Sequence, residues 1–179
     1  MKIAITGHTT GIGKAIFEKL EAEGHIVLGM SRTTGYHLPE DGDRVLHDSK
    51  DCDIFINLWH ERNTDFQIQL LYDFFLMWKG QNKHIISIGS RAGECYILGN
   101  VDKYAMFKAA HDAACEQLFN RRNQQPRVTN IRPGWVDTES NVGVNEPMLT
   151  PEQVADAVMY TINADFYVSQ ITLACQKTG

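Results

Sequence analysis

The stretch that most constrains this chain is Ile3-Ala4-Ile5-Thr6-Gly7-His8-Thr9-Thr10-Gly11-Ile12-Gly13-Lys14-Ala15-Ile16. Lys2 to Thr6 reads as a short buried strand. Three glycines follow, and then Ile12, Ile16, Phe17 and Leu20 recur with a helical period. Gly7 can take the positive φ of a tight turn, where a Cβ is costly. Gly11 lets a ligand approach the backbone, and Gly13 lets the helix lie close to the strand. The helix then offers free N–H groups and the positive end of its dipole, which suits a pyrophosphate. Glycines in a short loop are also found as plain turns. Their place directly after a strand and directly before a helix is what points to a nucleotide.

The rest of the chain keeps the alternation. The first helix is expected from Ile12 to Glu23, stopped by Gly24. His25 to Met30 reads as a second strand and Gly35 to Leu38 as a very short third. Pro39 then opens a helix through Lys50. Asp53 to Leu58 is a β-branched apolar run, and thus a buried strand. A helix from Thr64 to Lys79 carries Phe66, Leu70, Phe74 and Met77 on one stripe, broadened by Leu71 and Phe75. His84 to Ile88 is the next strand, and Asp102 to Arg122 a long helix with five alanines. Arg127 to Ile131 is a strand ended by Pro133-Gly134. Pro151 to Asn163 is a helix with Thr150 as N-cap, and Tyr167 to Ala174 a closing strand. The fold class expected is α/β: a Rossmann-type doubly wound parallel sheet with helices on both faces, in a single domain over residues 1–179. Ligands of such sheets bind beyond the carboxyl ends of the strands. Those ends are Thr6, Ser31, Asn57, Ser90 and Arg132-Pro133.

Composition narrows the function classes. Of 179 residues 43% are hydrophobic and 22% charged, enough for a sizeable core. A net charge of −5 gives nucleic acid no electrostatic attraction. The longest apolar runs fall well short of the roughly 20 residues of a membrane helix. The first strand starts at residue 2, which leaves no room for a targeting peptide, and a cytoplasmic protein is expected. Cys52, Cys95, Cys115 and Cys175 show no C-x-x-C spacing, and the seven histidines show no metal-ligand spacing, so no metal site is expected. His25, His84 and His111 read as surface or strand-edge residues, Trp59 and Trp78 as core or pocket wall, and Cys95 as a passive loop residue.

Three groups could act on a carbonyl. Ser90 follows a strand end, and Tyr104 and Lys108 share a helix face at i and i+4. A lysine ammonium one turn from a tyrosine favours the phenolate and lowers its pKa. A serine hydroxyl beside it can hydrogen-bond the substrate oxygen. Tyr-x-x-x-Lys by itself is also an ordinary surface pair. The larger constellation is Thr6-Gly7-x-x-x-Gly11-Ile12-Gly13, then Asn57, Ser90, Tyr104-x-x-x-Lys108 and Pro133-Gly134-x-Val136-x-Thr138, in one order. It resembles the short-chain dehydrogenase/reductase family from Met1 to about Thr138, and again weakly from Pro151.

The resemblance implies hydride transfer between a nicotinamide cofactor and a carbonyl or alcohol substrate. Tyr104 would be the acid/base, Lys108 its electrostatic partner and a ribose ligand, and Ser90 the substrate-orienting hydroxyl. Cofactor contacts would fall on Gly7, Thr9, Thr10, Gly11, Ile12 and Gly13. Further ones would fall on Ser31 and Arg32, on Asn57 and Leu58, on Tyr104 and Lys108, and on Pro133, Gly134, Val136 and Thr138. A homodimer through the two long helices, or a homotetramer, is expected as well.

The chain departs from the family pattern in several places. Asn57-Leu58-Trp59-His60 stands where Asn-Asn-Ala-Gly is usual, and the lid region, about 139–150, is much reduced. The helix asparagine of the family's proton relay has no clear match. Asn63 falls near its place, although a helix N-cap beside Thr64 is the stronger reading of it. These departures keep a second reading open: an NAD(P)-binding regulatory or redox-sensing protein with little or no turnover. For the cofactor, NAD-selective folds place an acid at the end of the second strand. Here Ser31 and Arg32 stand there, so NADP(H) is expected over NAD(H).

Overall fold

The strands form where β-branched residues run together: β1 (Lys2–Thr6), β2 (Ile26–Met30), β3 (Ile54–Asn57), β4 (His84–Ile88), β5 (Arg127–Pro133) and β6 (Gln170–Leu173). The protein is described by a computed structural model over residues 1–61, 64–94, 103–121 and 125–175. All strand pairs are parallel, in the order β2-β1-β3-β4-β5-β6. The helices are α1 (Gly11–Ala22), α2 (Gly42–Ser49), α3 (Phe66–Met77), α4 (Lys103–Phe119) and α5 (Pro151–Asn163). The chain reverses its direction across the sheet at β1, which opens a crevice beyond the carboxyl ends of β1 and β3.

Period-two alternation divides the core. Ile3, Ile5, Ile54, Ile56 and Ile86 face α1 and α5, where Ile16, Leu20, Val154 and Val158 cover them. Ala4, Phe55, Ile85 and Val128 face the other way, under α2, α3 and α4. Phe55 and Phe74 stack there with centroids 3.6 Å apart, and Trp78 is fully buried beside them. The broad stripe of α3 is spent on this core: Phe66, Leu70, Leu71, Phe74 and Phe75 are all buried within the chain.

Local signals fixed most boundaries. Gly24 ends the first helix with φ +79. Thr150 caps α5 in a reciprocal box with Gln153, ahead of Pro151. Elsewhere the expectations need correction. Gly35–Leu38 is not a strand. β2 is the sheet edge, and the chain leaves it through a 3-10 turn at Arg32–Thr34, which Gly35 closes at φ +81. Tyr36 is then anchored by its hydroxyl donating to Asp48 Oδ2 at 2.7 Å. The helix expected from Pro39 starts only at Gly42, after a turn in which the Asp41 carboxylate accepts from the His37 N–H. β6 is shorter than expected. Tyr167, instead of pairing, donates its hydroxyl to the Val128 carbonyl. His84 and His111 are not surface residues but buried ones, and both have polar partners. Asp102 and Arg122, the expected ends of the long helix, and Cys95 lie outside the described residues.

Candidate active site

One cleft of about 1490 Å³ runs along the carboxyl ends of the strands. It exceeds the roughly 300–1,000 Å³ of drug-sized pockets, so an elongated ligand has room. At one end lies the glycine turn. Gly7 and Gly11 have φ of +73 and +49, and a Cβ on Gly13 would stand 2.0 Å from the Gly7 carbonyl oxygen. Helix and strand therefore cross closer than any side chain permits. Gly7, Thr9, Thr10, Gly11, Ile12 and Gly13 all line the cleft. Thr138, which follows β5, reaches them too: its Cγ2 would be 2.9 Å from a Cβ on Gly11. Ser31 and Arg32 line the same end; Ser31 is buried and Arg32 is exposed. Among the described residues no carboxylate forms an ion pair with Arg32.

Thr6 anchors the segment after β3. That hydroxyl accepts the N–H groups of Leu58 and Trp59 at 3.1 and 3.0 Å, pulling the backbone against Gly7. The indole of Trp59 turns away to meet Phe66 edge-on at 5.4 Å, and Trp59 forms pocket wall. Leu58 lines the cleft; Asn57 does not. Asn57 is fully buried beneath it and donates from Nδ2 to the Gln67 carbonyl at 2.8 Å.

The other end gathers Ser90, Tyr104, Lys108, Pro133, Gly134 and Val136. Ser90 leaves β4, and its Oγ accepts the Ala92 N–H at 3.1 Å, which keeps its own proton for another acceptor. Tyr104 and Lys108 stand one turn apart on α4, with Nζ 5.7 Å from the Tyr104 ring centroid. The His60 ring stands edge-on to that of Tyr104 at 5.0 Å. Lys108 is only 3% exposed. Burial pushes its ammonium down to about 8, against the opposing pull of Asp112. It donates to Gln67 Oε1 at 2.8 Å and to the Ile88 carbonyl at 3.4 Å.

Gln67 is the residue that sequence reasoning missed. It is 3% exposed, and its Nε2 donates to the carbonyls of Asn57 and Ile88, each at 2.9 Å. The amide thus ties α3 to two strand ends and aims its oxygen at Lys108. Asn63, the residue expected near this role, lies outside the described residues. Gln67 belongs to a polar row set by sheet register. Asn57, Ser87 and Asn130 are paired neighbours on the face toward α3 and α4. Asn57 bonds Gln67. Ser87 Oγ lies 2.6 Å from His111 Nε2, and Asn130 Nδ2 donates to Asp112 Oδ1 at 2.7 Å. Burial holds the His111 imidazole below its ordinary pKa. The only hint in the sequence was a glutamine inside an apolar helix stripe.

No family model matches the sequence, and no curated protein matches it. Solved structures do match in shape. A small-chain dehydrogenase in complex with NADPH superposes with a TM-score of 0.76 at 20% identity, over 97% of this chain and 96% of that one. The fold is that of the short-chain dehydrogenases. An alcohol dehydrogenase of this fold, from the archaeon Thermococcus sibiricus and complexed with 5-hydroxy-NADP, gives 0.74 at 20% identity over 97% and 96%. The 3-alpha-hydroxysteroid dehydrogenase from Pseudomonas sp. B-0831, complexed with NADH, gives 0.73 at 18% over 97% and 94%. Among the described residues no helix is long and apolar enough to cross a membrane.

Proposed function

We propose that this chain is an NADP(H)-dependent oxidoreductase of the short-chain dehydrogenase/reductase kind, acting on a small carbonyl or alcohol substrate. One observation carries the reading: Ser90, Tyr104 and Lys108, far along the chain from the glycine turn, line the same cleft as that turn. The turn fits a dinucleotide by its own geometry, since it has no Cβ where a pyrophosphate would meet the start of α1. Solved proteins of the same fold carry NADPH, 5-hydroxy-NADP and NADH.

In this reading the bound cofactor supplies or accepts the hydride. Ser90 and Tyr104 hold the substrate oxygen, and the Tyr104 phenol gives it a proton in reduction or takes one in oxidation. The Lys108 ammonium stabilises the phenolate left behind. Two of its three donors are already committed to Gln67 and Ile88, which leaves the third for a ribose hydroxyl. Gln67 is a positioning residue that acts through Lys108. At the other end, Arg32 and Ser31 meet the 2′-phosphate. The chain would work as one domain with a short lid over about 139–150. It would be a cytoplasmic homodimer, for which sedimentation at micromolar concentration is the measurement.

Tyr104→Phe is the deciding variant. It keeps the ring and removes the hydroxyl. Carbonyl-dependent NADPH oxidation should fall about 10²–10⁴-fold while NADPH affinity stays. A Phe variant within a few-fold of wild type removes Tyr104 from the chemistry. A wild type that binds NADPH but turns over no carbonyl substrate favours the regulatory reading, to which Trp59 and the short lid also point.

A further inference from the structure

The reaction end of the cleft holds a cation that the hydride chemistry does not use. Arg91 directly follows Ser90, opens a single 3-10 turn (Arg91–Gly93) and lines the cleft. Its Cδ lies 3.8 Å from where a Cβ on Gly134 would stand, so its stem runs along the Pro133-Gly134 wall. The side chain is 39% exposed.

Its neighbour Arg132 makes an instructive contrast. Arg132 is 7% exposed and lies between two carboxylates: its Nη2 is 2.5 Å from Glu94 Oε1 and its Nε 3.1 Å from Asp112 Oδ2, an ion-pair contact without hydrogen-bond geometry. Glu94 thus gives Arg132 its close contact. Arg91 Nε reaches the other Glu94 oxygen at only 3.8 Å, beyond a hydrogen bond, and this nitrogen is buried with no hydrogen-bond partner among the described residues. The cluster behind Ser90 therefore contains three cations, Lys108, Arg91 and Arg132, against two carboxylates, Asp112 and Glu94. Among the described residues Lys108 has no carboxylate in ion-pair range, and Arg91, held by Glu94 only at 3.8 Å, is the more exposed of the two arginines and lines the cleft beside Ser90. The exposed acidic residues Glu61 and Glu146 line the cleft as well, Glu61 directly after the His60 whose ring meets Tyr104.

We infer that Arg91 reads a carboxylate on the substrate, so that the site selects monoanionic carbonyl compounds or the matching hydroxy acids. A planar guanidinium fork matches a carboxylate in two parallel hydrogen bonds. A single guanidinium, loosely paired with Glu94, suits a monoanion better than a phosphate dianion. The inference rests on the oxidoreductase reading for its substrate class, and on the Arg91 cluster for the anion.

The test compares 4-carboxybenzaldehyde with its neutral methyl ester, methyl 4-formylbenzoate, under NADPH. The readout is the acid-to-ester ratio of kcat/KM in wild type, Arg91→Gln and Arg91→Lys. Wild type should favour the acid by about ten- to a hundredfold, the worth of a hydrogen-bonded charge. Arg91→Gln should bring the ratio near one, and Arg91→Lys should leave it between. A ratio unchanged in Arg91→Gln overturns the inference and leaves the oxidoreductase reading standing. So does a loss of NADPH affinity that matches the loss with the acid, which assigns Arg91 to the cofactor. If wild type reduces neither aldehyde, the oxidoreductase reading fails for these carbonyls and the anion site is judged by binding. Benzoate titrated against Trp fluorescence, with Trp135 in the same cleft, should saturate in wild type and not in Arg91→Gln. Equal titrations overturn it.

Discussion

The two ends of the cleft are built on different physical principles. The glycine-turn end is made by backbone. Its shape depends on missing Cβ atoms at Gly7, Gly11 and Gly13, all within seven residues of one another. The reaction end is made by side chains from β4, β5, α3 and α4. Those side chains are held by a buried polar row in which Gln67, His111 and Asp112 meet Asn57, Ser87 and Asn130. The first can be damaged by adding a carbon atom. The second is damaged by removing a partner, because a buried polar group without one costs about 1–3 kcal/mol, and more when charged.

Breaking the backbone end should have the largest effect. Gly13→Ala places a Cβ 2.0 Å from the Gly7 carbonyl oxygen, a backbone atom that cannot swing aside. Overpacking costs typically about 1–3 kcal/mol. Here it also moves the turn, so NADPH affinity should fall by a hundredfold or more, with a lower Tm. Calorimetric titration and thermal unfolding measure both. An alanine variant that binds NADPH normally would mean that the turn is not the phosphate cradle.

Next comes the side-chain end. Gln67→Leu removes the acceptor of the Lys108 ammonium and leaves the Asn57 and Ile88 carbonyls without their donor. Turnover should drop by about ten- to a hundredfold. The pH profile separates positioning from mere stability. The Lys108 ammonium already loses its proton near pH 8. Without Gln67 the alkaline limb of kcat/KM should move lower still, and Gln67→Glu should move it up. A limb that stays put in both variants would make Gln67 structural only.

Smaller and more selective is Arg32→Ala. A hydrogen bond to a charged group contributes roughly 1.5–3 kcal/mol, so NADPH should bind about ten- to a hundredfold more weakly while NADH is unaffected. Equal losses for both cofactors, or a wild type that prefers NADH, would show that no 2′-phosphate is read at Ser31-Arg32.

The smallest effect lies outside the cleft. Burial, with Arg127 nearby, holds the His84 imidazole down to about 3, below its ordinary 6.5, and its Nε2 lies 2.8 Å from Thr129 Oγ1. The unfolded chain therefore binds the extra proton between those two values, and stability rises with pH across that window. The stability linked to His84 is fully present above pH 6.5 and is lost as pH falls toward 3. Tm measured from pH 7 down to 4 should decline, and less steeply in His84→Gln. Identical slopes would relieve His84 of that role and leave His111, which is depressed by burial too, as the group responsible.

The sequence by itself determined what depends on near neighbours along the chain. Gly7, Gly11 and Gly13 between a strand and a helix can be read from spacing, because positive φ and close approach are local demands. So can α5, whose Thr150-Pro151-Gln153 signal closes within one turn. Period-two alternation similarly gives the two faces of β3, β4 and β5. Fold class followed from these. The false strand at Gly35–Leu38 shows the limit. A strand exists only if a neighbour supplies hydrogen bonds, and the sheet ends at β2.

Tertiary structure alone decided the partners. Nothing in the chain marks His84 or His111 as buried, since a histidine is buried when another element brings it a hydrogen bond. Gln67 lies 41 residues from Lys108, and their contact needs the register of β3 on β4 and the packing of α3 on α4 together. The same holds for Arg91 and Arg132. As letters they are equal cations, and only the placement of Glu94 and Asp112 leaves one of them buried between two carboxylates and the other partly exposed along the cleft.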